Sequence, residues 1–446
     1  MRSPKNEKPL RTIAQASEMV RRGEISPVEL TRECLERIER LNPSLNAFIT
    51  ITAESAFKDA EHAEKEIQSG NWRGPLHGIP VGLKDLIDTA GVRTTAASAV
   101  FRDRVPTADA EVVKKLKAAG AVLIGKQNLH EFAYGGSSLI SHFGPVRNPT
   151  NPEFIAGGSS GGPAAAVAAG MCYGAIGTDT AGSIREPAAL CGVVGLKPSY
   201  GLVSTRGIIP LSLSLDHAGP IARTVEDAAI LLDVIAEGAE EYWERLGEGI
   251  EKFVLGIPRK YFFEDLDPEV AKAVEKAIDQ LTDLAFTVQD LELPVSIDRT
   301  LQSAESYAYH RGMVATSPKL YDPETLRRIR SGERVSEGEH KNALQDLHKM
   351  RREIIEKFRG VDVVLMPTTP IPAPRISELM KDPALLRPTE LVLLRNTRPV
   401  NVWGLPAISV PCGMTSGGLP IGLQIVGPAG GEAKGLRAAH AYEKVR

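Results

Sequence analysis

The sequence predicts an α/β fold in which one mixed, mostly parallel central sheet is sandwiched between helical layers. Six short apolar runs, each bounded by turn residues, have the pattern of buried strands. Amphipathic helical patterns separate most of these runs, as expected for strands that are joined by helices on both faces of a sheet. The chain has 446 residues, which is enough to bury a large core, and we expect a single compact domain.

The N-terminal helices carry clear start signals. The stretch "SPVELTRECLERIERLN" begins with Ser26 as the N-cap, Pro27 in the first helical position and Glu29 three residues after the cap, which together form a capping box. Apolar residues then recur on one face at helical spacing. Two further helices with polar outer faces are expected at roughly residues 53–69 and 109–119.

Changes in composition divide the single domain, residues 1–446, into four parts. Residues 1–73 carry helices, and residues 74–235 hold most of the glycine-rich motifs. Residues 237–360 form a charged helical excursion, after which residues 361–446 return to the sheet. The six predicted strands are residues 78–85, 121–126, 172–179, 363–368, 407–413 and 420–427.

Composition argues against several classes of partner. The 53 basic and 56 acidic residues leave a net charge of −3, so we expect no nucleic acid and no membrane as a partner.

The N-terminal stretch lacks the apolar segment of a secretory signal, and no run of about 18 apolar residues follows that could span a membrane. The four cysteines form no C-x-x-C pair, which argues against a zinc site and a disulfide framework. We therefore expect a cytoplasmic protein.

The motif "GGSSGG" at residues 157–162 raises the first functional question. Gly157, Ser159 and Gly161 match G-x-S-x-G, the nucleophile elbow of α/β-hydrolases, which needs a buried strand before the serine and a helix after it. The preceding segment, "GPVRNPTNPEF", contains three prolines that would break a strand ladder, so only the helix side fits. The motif also lacks the Lys-Ser/Thr pair of a P-loop, whereas an anion-binding loop at a helix N-terminus stays open.

Lys84 follows the apolar run "GIPVGL", so a strand is expected to deliver its ammonium group to a buried place. Burial disfavours the charged form of lysine and lowers its pKa, which makes a neutral amine base feasible. The alternative is a lysine at a solvated strand end, but the preceding apolar run favours a functional role.

Ser183 lies in "GAIGTDTAGSIREPA", where a predicted strand runs into a glycine-containing turn and then into a helix. Such a turn can direct several backbone N–H groups at one point, and donors aimed at a developing oxyanion contribute strongly to catalysis. A simple Gly-Ser turn is the alternative.

Histidine offers no clear catalytic group. None of the nine histidines stands in a metal-binding pair such as H-E-x-x-H. His130 in "NLHEFAYGG" is the best general-base candidate, although we favour a role in structuring its loop. The S-x-x-K pattern formed by Ser55 and Lys58 falls in a charged helix without its companion motifs, and we interpret it as chance.

Taken together, "GLKD", "GGSSGG" and "GTDTAGSIREPA", followed by "LCGVVGLKPSYGLVS" and "LDHAGPIARTVEDAA", resemble the amidase signature family. The match covers residues 74–235 and resumes in "RPVNVWGLPAISVPCG" and "LPIGLQIVG". The resemblance implies an amidase that cleaves a carboxylic amide C–N bond through a serine acyl-enzyme, without metal or organic cofactor. It also implies that helices from residues 237–360 help to close the pocket.

By the same resemblance, the catalytic residues form a Ser-cisSer-Lys triad. Ser183 is the implied nucleophile, Ser159 is the relay reached by a cis peptide, and Lys84 is the base. The implied oxyanion hole comprises the backbone N–H groups of Thr180, Ala181 and Gly182, together with that of Ser183. The residues implied to support this loop are Ser160, Asp179 and Arg185.

Two positions depart from the family pattern. Ala181 stands where many members have glycine, and because alanine disfavours a positive φ, the loop must accept a side chain there. Glu186 follows Arg185 where an apolar or amide residue is common, and it could either pair with Arg185 or face the substrate.

The motifs leave the substrate open. We expect a small-molecule amide, with aryl esters and carbamates as chemically related options; a homodimer is left open. The nearest alternative is the glutamine-hydrolysing A subunit of aminoacyl-tRNA amidotransferases, which shares the catalytic motifs but works within a complex. The stretch "GLVSTRGIIPLSLSLDHAGP" departs from the pattern expected of that subunit, which favours a free-standing amidase.

Overall fold

The computed structural model describes residues 10–238 and 240–446. Within that part of the chain, the strands form one eleven-stranded sheet in the order β1-β3-β2-β4-β6-β5-β10-β11-β9-β7-β8. The strands are β1 (Phe48–Ile51), β2 (Pro80–Lys84), β3 (Val122–Gln127), β4 (Gly174–Asp179), β5 (Val194–Lys197), β6 (His217–Ala222), β7 (Val254–Ile257), β8 (Thr287–Asp290), β9 (Val363–Pro367), β10 (Ala407–Met414) and β11 (Pro420–Val426).

Helices cover the sheet in layers, as the sequence predicts. They are α1 (Ile13–Arg21), α2 (Pro27–Leu45), α3 (Ala53–Gln68), α4 (Glu111–Ala118), α5 (Gly161–Ala168), α6 (Arg185–Cys191), α7 (Val225–Ile235), α8 (Arg259–Phe262), α9 (Pro268–Thr282), α10 (Thr300–Thr316), α11 (Pro323–Arg330), α12 (Glu337–Lys357), α13 (Ile376–Lys381), α14 (Pro383–Leu393), α15 (Arg398–Trp403) and α16 (Glu432–Glu443).

The local signals of the N-terminal helices are confirmed. Helix α2 begins at Pro27, and the Ser26 side chain accepts a hydrogen bond from the Glu29 N–H while the Glu29 side chain accepts one from the Ser26 N–H. Its buried residues include Leu30, Cys34 and Ile38, which recur at helical spacing and pack into the core. Helices α3 and α4 lie within two residues of their expected bounds.

All six predicted strands are present, and the mixed character of the sheet is confirmed, but the expected parallel majority is wrong. Six of the ten strand pairs among the described residues are antiparallel, and four are parallel. The connection between β10 and β11 shows one reason: only a short turn separates them, and a short turn can join only antiparallel strands. Strands β3, β2 and β4 are parallel neighbours. Lys84 ends β2 and Asp179 ends β4, so both residues lie at the same edge of the sheet.

The excursion at residues 237–360 is mainly helical, as expected, but it also adds strands β7 and β8 to one end of the sheet. The sequence did not indicate β8 because all four of its residues, "TVQD", are exposed at the sheet edge and include two polar side chains and a carboxylate. Helix α10 packs on both α11 and α12, and α12 also packs on α15. No helix in the described part of the chain is long and apolar enough to cross a membrane.

Candidate active site

Lys84 ends β2, a strand whose five residues are all buried between β3 and β4. Its ammonium nitrogen Nζ lies 2.6 Å from Ser159 Oγ and 2.8 Å from Thr178 Oγ1. Burial lowers the pKa of Lys84 to about 7, although the negative charges of Asp179 and Asp216 oppose this effect. A substantial fraction of Lys84 is therefore a neutral amine near neutral pH, as the sequence predicts for a base.

Ser159 is held in a loop that only glycine can form. Gly157 and Gly158 have φ values of +82° and +55°. A Cβ atom on Gly157 would lie 2.5 Å from Leu190 Cδ1, and one on Gly158 would lie 2.6 Å from Pro187 Cδ. These glycines let the loop pack closely against helix α6, which begins two residues after Ser183.

The structure places Ser183 next to Ser159, and the contact between them is made by the backbone N–H of Ser159. The Ser159 N–H donates a hydrogen bond to Ser183 Oγ over 3.0 Å. Ser183 retains 6% exposure, compared with 1% for Ser159 and none for Lys84. Hydrogen bonds thus link Lys84 to Ser159 and Ser159 to Ser183, and Ser183 is the most exposed of the three.

The cis peptide implied for Ser159 is not found, because every peptide bond in residues 10–238 and 240–446 is trans. Trans is the ordinary, lower-energy form of a peptide bond that does not precede proline. With this backbone, Ser159 Oγ contacts Lys84 and the Ser159 N–H contacts Ser183.

The turn before Ser183 is shaped by the Asp179 carboxylate. The Gly182 N–H donates to Asp179 Oδ1 over 2.7 Å, and the Ile184 N–H donates to Oδ2 over 3.1 Å. The assignment of the Gly182 N–H to an oxyanion hole is therefore wrong in this structure, since that donor is already used. The N–H groups of Thr180, Ala181 and Ser183 have no hydrogen-bond partner in the described part of the chain, so they are the donors left for an oxyanion.

Alanine fits at position 181 because the unusual backbone conformation falls on the next residue. Gly182 has a φ of +141°, whereas Ala181 is not among the residues with positive φ. A Cβ atom on Gly182 would lie 2.0 Å from Thr397 Oγ1, and that hydroxyl donates to the Ala181 carbonyl oxygen over 2.7 Å. Glycine is thus needed at 182 and not at 181.

Arg185 holds the Asp179 carboxylate in a fully buried ion pair. Arg185 Nε and Nη2 each lie 3.0 Å from a different carboxylate oxygen of Asp179. Burial alone would raise the pKa of Asp179, but the charge and hydrogen bonds of Arg185 outweigh burial and hold that pKa well below its usual range. The supporting role implied for both residues agrees with these contacts.

Three supporting residues were not singled out from the sequence. Asn401 donates to the Asp179 side chain over 2.7 Å and accepts from Arg185 over 2.7 Å. Gln424 accepts a further hydrogen bond from Arg185. Thr178 bonds Lys84 through its side chain, and its backbone N–H and carbonyl oxygen bond Ser160 Oγ. The available signal was that Asn401 and Gln424 lie in the two C-terminal stretches that carry the family resemblance.

His130 is buried beneath its own loop, which confirms the structural interpretation. A Cβ atom on Gly135 would lie 2.1 Å from the His130 ring, and His130 Nδ1 lies 3.7 Å from the carboxylate of Glu390. Burial, followed by the positive charges of Arg328 and Arg387, holds the pKa of His130 well below its usual range. The imidazole contacts neither Ser159 Oγ nor Ser183 Oγ in the structure.

Glu186 neither pairs with Arg185 nor reaches the surface. Its side chain is fully buried, and both carboxyl oxygens lack a hydrogen-bond partner in the described part of the chain. One of them would lie 3.4 Å from a Cβ atom on Gly157, which places the carboxyl group beneath the Ser159 loop. Burial raises the pKa of Glu186 well above its usual range; the nearby Gly158 N–H opposes this rise, whereas the charges of Glu390 and Asp179 add to it. Glu186 thus stays protonated at pH values at which an exposed carboxyl group has already ionised.

This protonated acid predicts a stability change with pH. Between the ordinary carboxyl pKa and the raised one, the folded protein binds one more proton than the unfolded chain, so rising pH destabilises the fold. Replacing Glu186 with glutamine should remove up to about 1.4 kcal/mol of this loss per pH unit. Urea unfolding at several pH values should therefore show a gap between variant and wild type that widens as pH rises. The exposed Glu61→Gln variant is the control, and parallel curves for wild type and Glu186→Gln would contradict the assignment.

A lysine with a lowered pKa, two serine hydroxyls and unpartnered backbone N–H groups can together supply a base, a nucleophile and donors for an oxyanion. The protein-family model described as Amidase matches residues 29–436. The chain therefore belongs to the amidase signature family, as its motifs indicate, and is a hydrolase that acts on amide C–N bonds.

Individual relatives fall into two groups. The curated A subunit of the glutamyl-tRNA(Gln) amidotransferase from Geotalea daltonii is 41% identical over 473 aligned positions, which cover 97% of this chain and 96% of that protein. A solved structure of 6-aminohexanoate cyclic dimer hydrolase matches with a TM-score of 0.90 at 30% identity and covers 98% of both chains. The solved A subunit of the glutamyl-tRNA(Gln) amidotransferase from Thermotoga maritima has a TM-score of 0.77 at 35% identity, covering 97% of this chain and 94% of that one.

Proposed function

We propose that this chain hydrolyses a carboxamide through an acyl-enzyme on Ser183. The observation that carries the proposal is the short hydrogen bond between Lys84 Nζ and Ser159 Oγ, next to Ser183. Neutral Lys84 takes the proton of Ser159, Ser159 takes the proton of Ser183, and Ser183 Oγ attacks the amide carbonyl carbon. For this transfer, the Ser183 hydroxyl turns from the Ser159 N–H to Ser159 Oγ.

The same groups serve the departure of the amine. The tetrahedral intermediate places its oxyanion at the free N–H groups of the turn around Ala181, which stabilises the developing charge. The proton held by Lys84 returns through Ser159 to the leaving nitrogen, because an unprotonated amide nitrogen is a poor leaving group. A water molecule, activated by the same pair, then attacks the acyl-enzyme and releases the acid. Aryl esters and carbamates could enter by the same route.

The identity of the amide has two candidates. The names of the curated relatives favour L-glutamine, hydrolysed as an ammonia donor within a tRNA-dependent amidotransferase, over a linear amide. The solved structures with the higher TM-scores favour a free-standing amidase, since they include an amidase and a hydrolase of a cyclic amide dimer. We put L-glutamine first because the curated relatives have the higher identity over nearly the whole chain.

Ser159 relays a proton, so its loss should weaken catalysis without abolishing it. Because a water molecule in the space left by the hydroxyl can bridge Lys84 to Ser183, we expect Ser159→Ala to lower kcat by about 10²–10³-fold. The KM should change little, since Ser159 Oγ contacts Lys84 and not the solvent-facing side of the turn. Steady-state kinetics on one amide measure this split. An unchanged kcat would remove Ser159 from the mechanism.

The proposed function can be tested on the purified chain with a panel of amides. Release of ammonia or amine is measured from L-glutamine, a simple anilide, an aliphatic amide and an aryl carbamate, with Ser183→Ala as the control. Release from the anilide or the aliphatic amide that disappears in the variant supports a free-standing amidase. Release from L-glutamine alone supports the amidotransferase reading. If no compound of the panel releases ammonia or amine, either alone or after addition of amidotransferase partner subunits, amide hydrolysis at this site would be contradicted.

A further inference from the structure

A second polar cluster lies behind the oxyanion turn. Thr397, whose hydroxyl bonds the Ala181 carbonyl oxygen over 2.7 Å, is followed directly by Arg398, the first residue of α15. The Arg398 side chain is buried, and the residue is only 5% exposed. Arg398 therefore follows, in the sequence, a residue that contacts the turn carrying the nucleophile.

Two more arginines stand near Arg398. Arg299 precedes helix α10 and Arg387 lies in α14, so three separate segments bring the three guanidinium groups together. Burial, followed by the positive charges of Arg398 and Arg387, lowers the pKa of Arg299 to about 8. Burial likewise lowers the pKa of Arg398 and Arg387, and the charge of Arg387 acts on Arg398. The Tyr134 side chain, which is 4% exposed, interacts electrostatically with all three.

The hydrogen-bonding capacity of these arginines is only partly used. Arg398 donates to Gln302 Oε1 over 3.2 Å and to the Asp298 carbonyl oxygen, but its Nε has no partner in the described part of the chain. The Arg299 side chain has no hydrogen bond or ion pair to any of the residues that the structure describes, whereas its backbone carbonyl oxygen accepts from the Ser303 N–H over 2.9 Å. An arginine offers five N–H donors, so most donors of this cluster face no acceptor.

Nearby acids do not neutralise the cluster. The Glu390 carboxylate lies 2.7 Å from Arg328 and accepts from Ser137 over 2.8 Å, while Arg387 lies farther away at 3.5 Å. The exposed Asp298 carboxylate accepts from the Thr300 N–H and hydroxyl at the start of α10. Burial and the charge of Glu390 both favour the uncharged form of Glu186. Positive charge therefore exceeds negative charge around Tyr134.

The segment that holds Tyr134 contacts the loop that holds Ser159. Tyr134 belongs to the segment that ends at Gly136, and the Gly136 carbonyl oxygen accepts a hydrogen bond from the Gly158 N–H over 3.1 Å. Gly158 is the residue before Ser159. On the other side, the Leu394 side chain would meet a Cβ atom on either Gly136 or Gly182. The segments that carry Tyr134 and Leu394 thus lie against the loop and the turn that hold Ser159 and Ser183.

We propose that Arg299, Arg387 and Arg398 bind a carboxylate that the substrate carries away from its scissile amide. The inference rests on the proposed amide hydrolysis and names its substrate class, a carboxylate-bearing amide. Guanidinium groups suit this ligand because their paired N–H donors match the two oxygens of a carboxylate. A neutral amide of the same length leaves these donors unpaired and should be a much poorer substrate.

Binding can be tested independently of catalysis. Glutarate is titrated by calorimetry into Ser183→Ala protein, and again into this protein with Arg299→Gln or Arg387→Gln added. Arg299 is the first choice because it is partly exposed and makes no contact that the fold needs. We expect binding that weakens about tenfold or more in either variant. Arg311→Gln, an exposed arginine of α10, is the matched control and should bind as tightly as the parent. Absence of glutarate binding by the parent would overturn the proposal.

The kinetic arm compares monoamides of dicarboxylic acids with neutral amides of equal length. Succinamate, glutaramate and adipamate are paired with butanamide, pentanamide and hexanamide. We expect kcat/KM for the best anionic amide to exceed that of its neutral partner by about 100-fold or more, and Arg299→Gln to reduce this ratio by at least tenfold. A ratio near one, or a ratio that Arg299→Gln leaves unchanged, would overturn the proposal.

Two further outcomes separate this inference from the proposed function. L-glutamine carries the same distal carboxylate as glutaramate, so we expect both amides to be hydrolysed faster than pentanamide. Equal rates for L-glutamine and pentanamide would contradict a cluster that binds the carboxylate of the substrate. Arg299-dependent binding of glutarate together with no hydrolysis of any amide would contradict the proposed function while supporting the anion site.

Discussion

Replacement of Ser183 with alanine is expected to lower amide hydrolysis by about 10⁴–10⁶-fold, because it removes the atom that forms the acyl-enzyme. The fold should survive, since Ser183 Oγ accepts one hydrogen bond, from the Ser159 N–H. The measurement is kcat under single-turnover conditions, together with a thermal unfolding curve that shows the variant to be folded.

Ser55→Ala provides a matched control for the nucleophile. Ser55 is an exposed serine of α3 that belongs to the S-x-x-K pattern interpreted as chance, and its hydroxyl bonds only the Thr52 carbonyl oxygen. We expect wild-type rates from this variant. A Ser183→Ala protein that keeps more than about one tenth of wild-type kcat would show that another group forms the acyl-enzyme.

Replacement of Lys84 with methionine is expected to lower kcat by about 10³–10⁴-fold, because the relay then has no base. The methionine side chain fills a similar buried volume, so the strand end should stay packed. Lys84 is active as a base only when neutral, and burial lowers its pKa to about 7. In the wild type, kcat/KM should therefore be low well below pH 7, rise through about pH 7 and level off above it.

The pH profile separates a catalytic Lys84 from a structural one. The Lys84→Met variant should retain low activity that no longer rises through about pH 7. Lys58→Met, which replaces the exposed lysine of the chance S-x-x-K pattern, should keep both the rate and the profile of the wild type. Wild-type rates in Lys84→Met would remove the relay from the mechanism.

The elements that could be predicted from the sequence are those with a strong local signal. Each buried strand of the six is a short apolar run, and helix α2 has its complete capping box. Strand β8 could not be predicted, because pairing with β7 at a sheet edge, and not its own exposed residues, makes it a strand. The parallel majority was wrong because the direction of each strand depends on which strands become neighbours.

Site residues could be predicted where a single sequence motif contains the reactive side chain. Lys84, Ser159 and Ser183 each interrupt an apolar or glycine-rich stretch, and the structure brings them together. The use of the Gly182 N–H could not be foreseen, since it depends on where the Asp179 side chain turns. Asn401 lies 222 residues from Asp179 in the sequence, and only the fold shows that they bond. The arginine cluster could not be predicted for the same reason, because Arg299 is far in the sequence from Arg387 and Arg398.

The central claim, that Ser183 and not Ser159 is the nucleophile, is tested most directly by covalent labelling. The native protein is treated with a serine-directed sulfonyl fluoride, digested, and mapped by mass spectrometry, with Ser183→Ala and Lys84→Met treated in parallel. The account predicts one adduct on Ser183, slower labelling in Lys84→Met and none in Ser183→Ala. An adduct on Ser159 with Ser183 unmodified would contradict it and would restore the G-x-S-x-G nucleophile elbow.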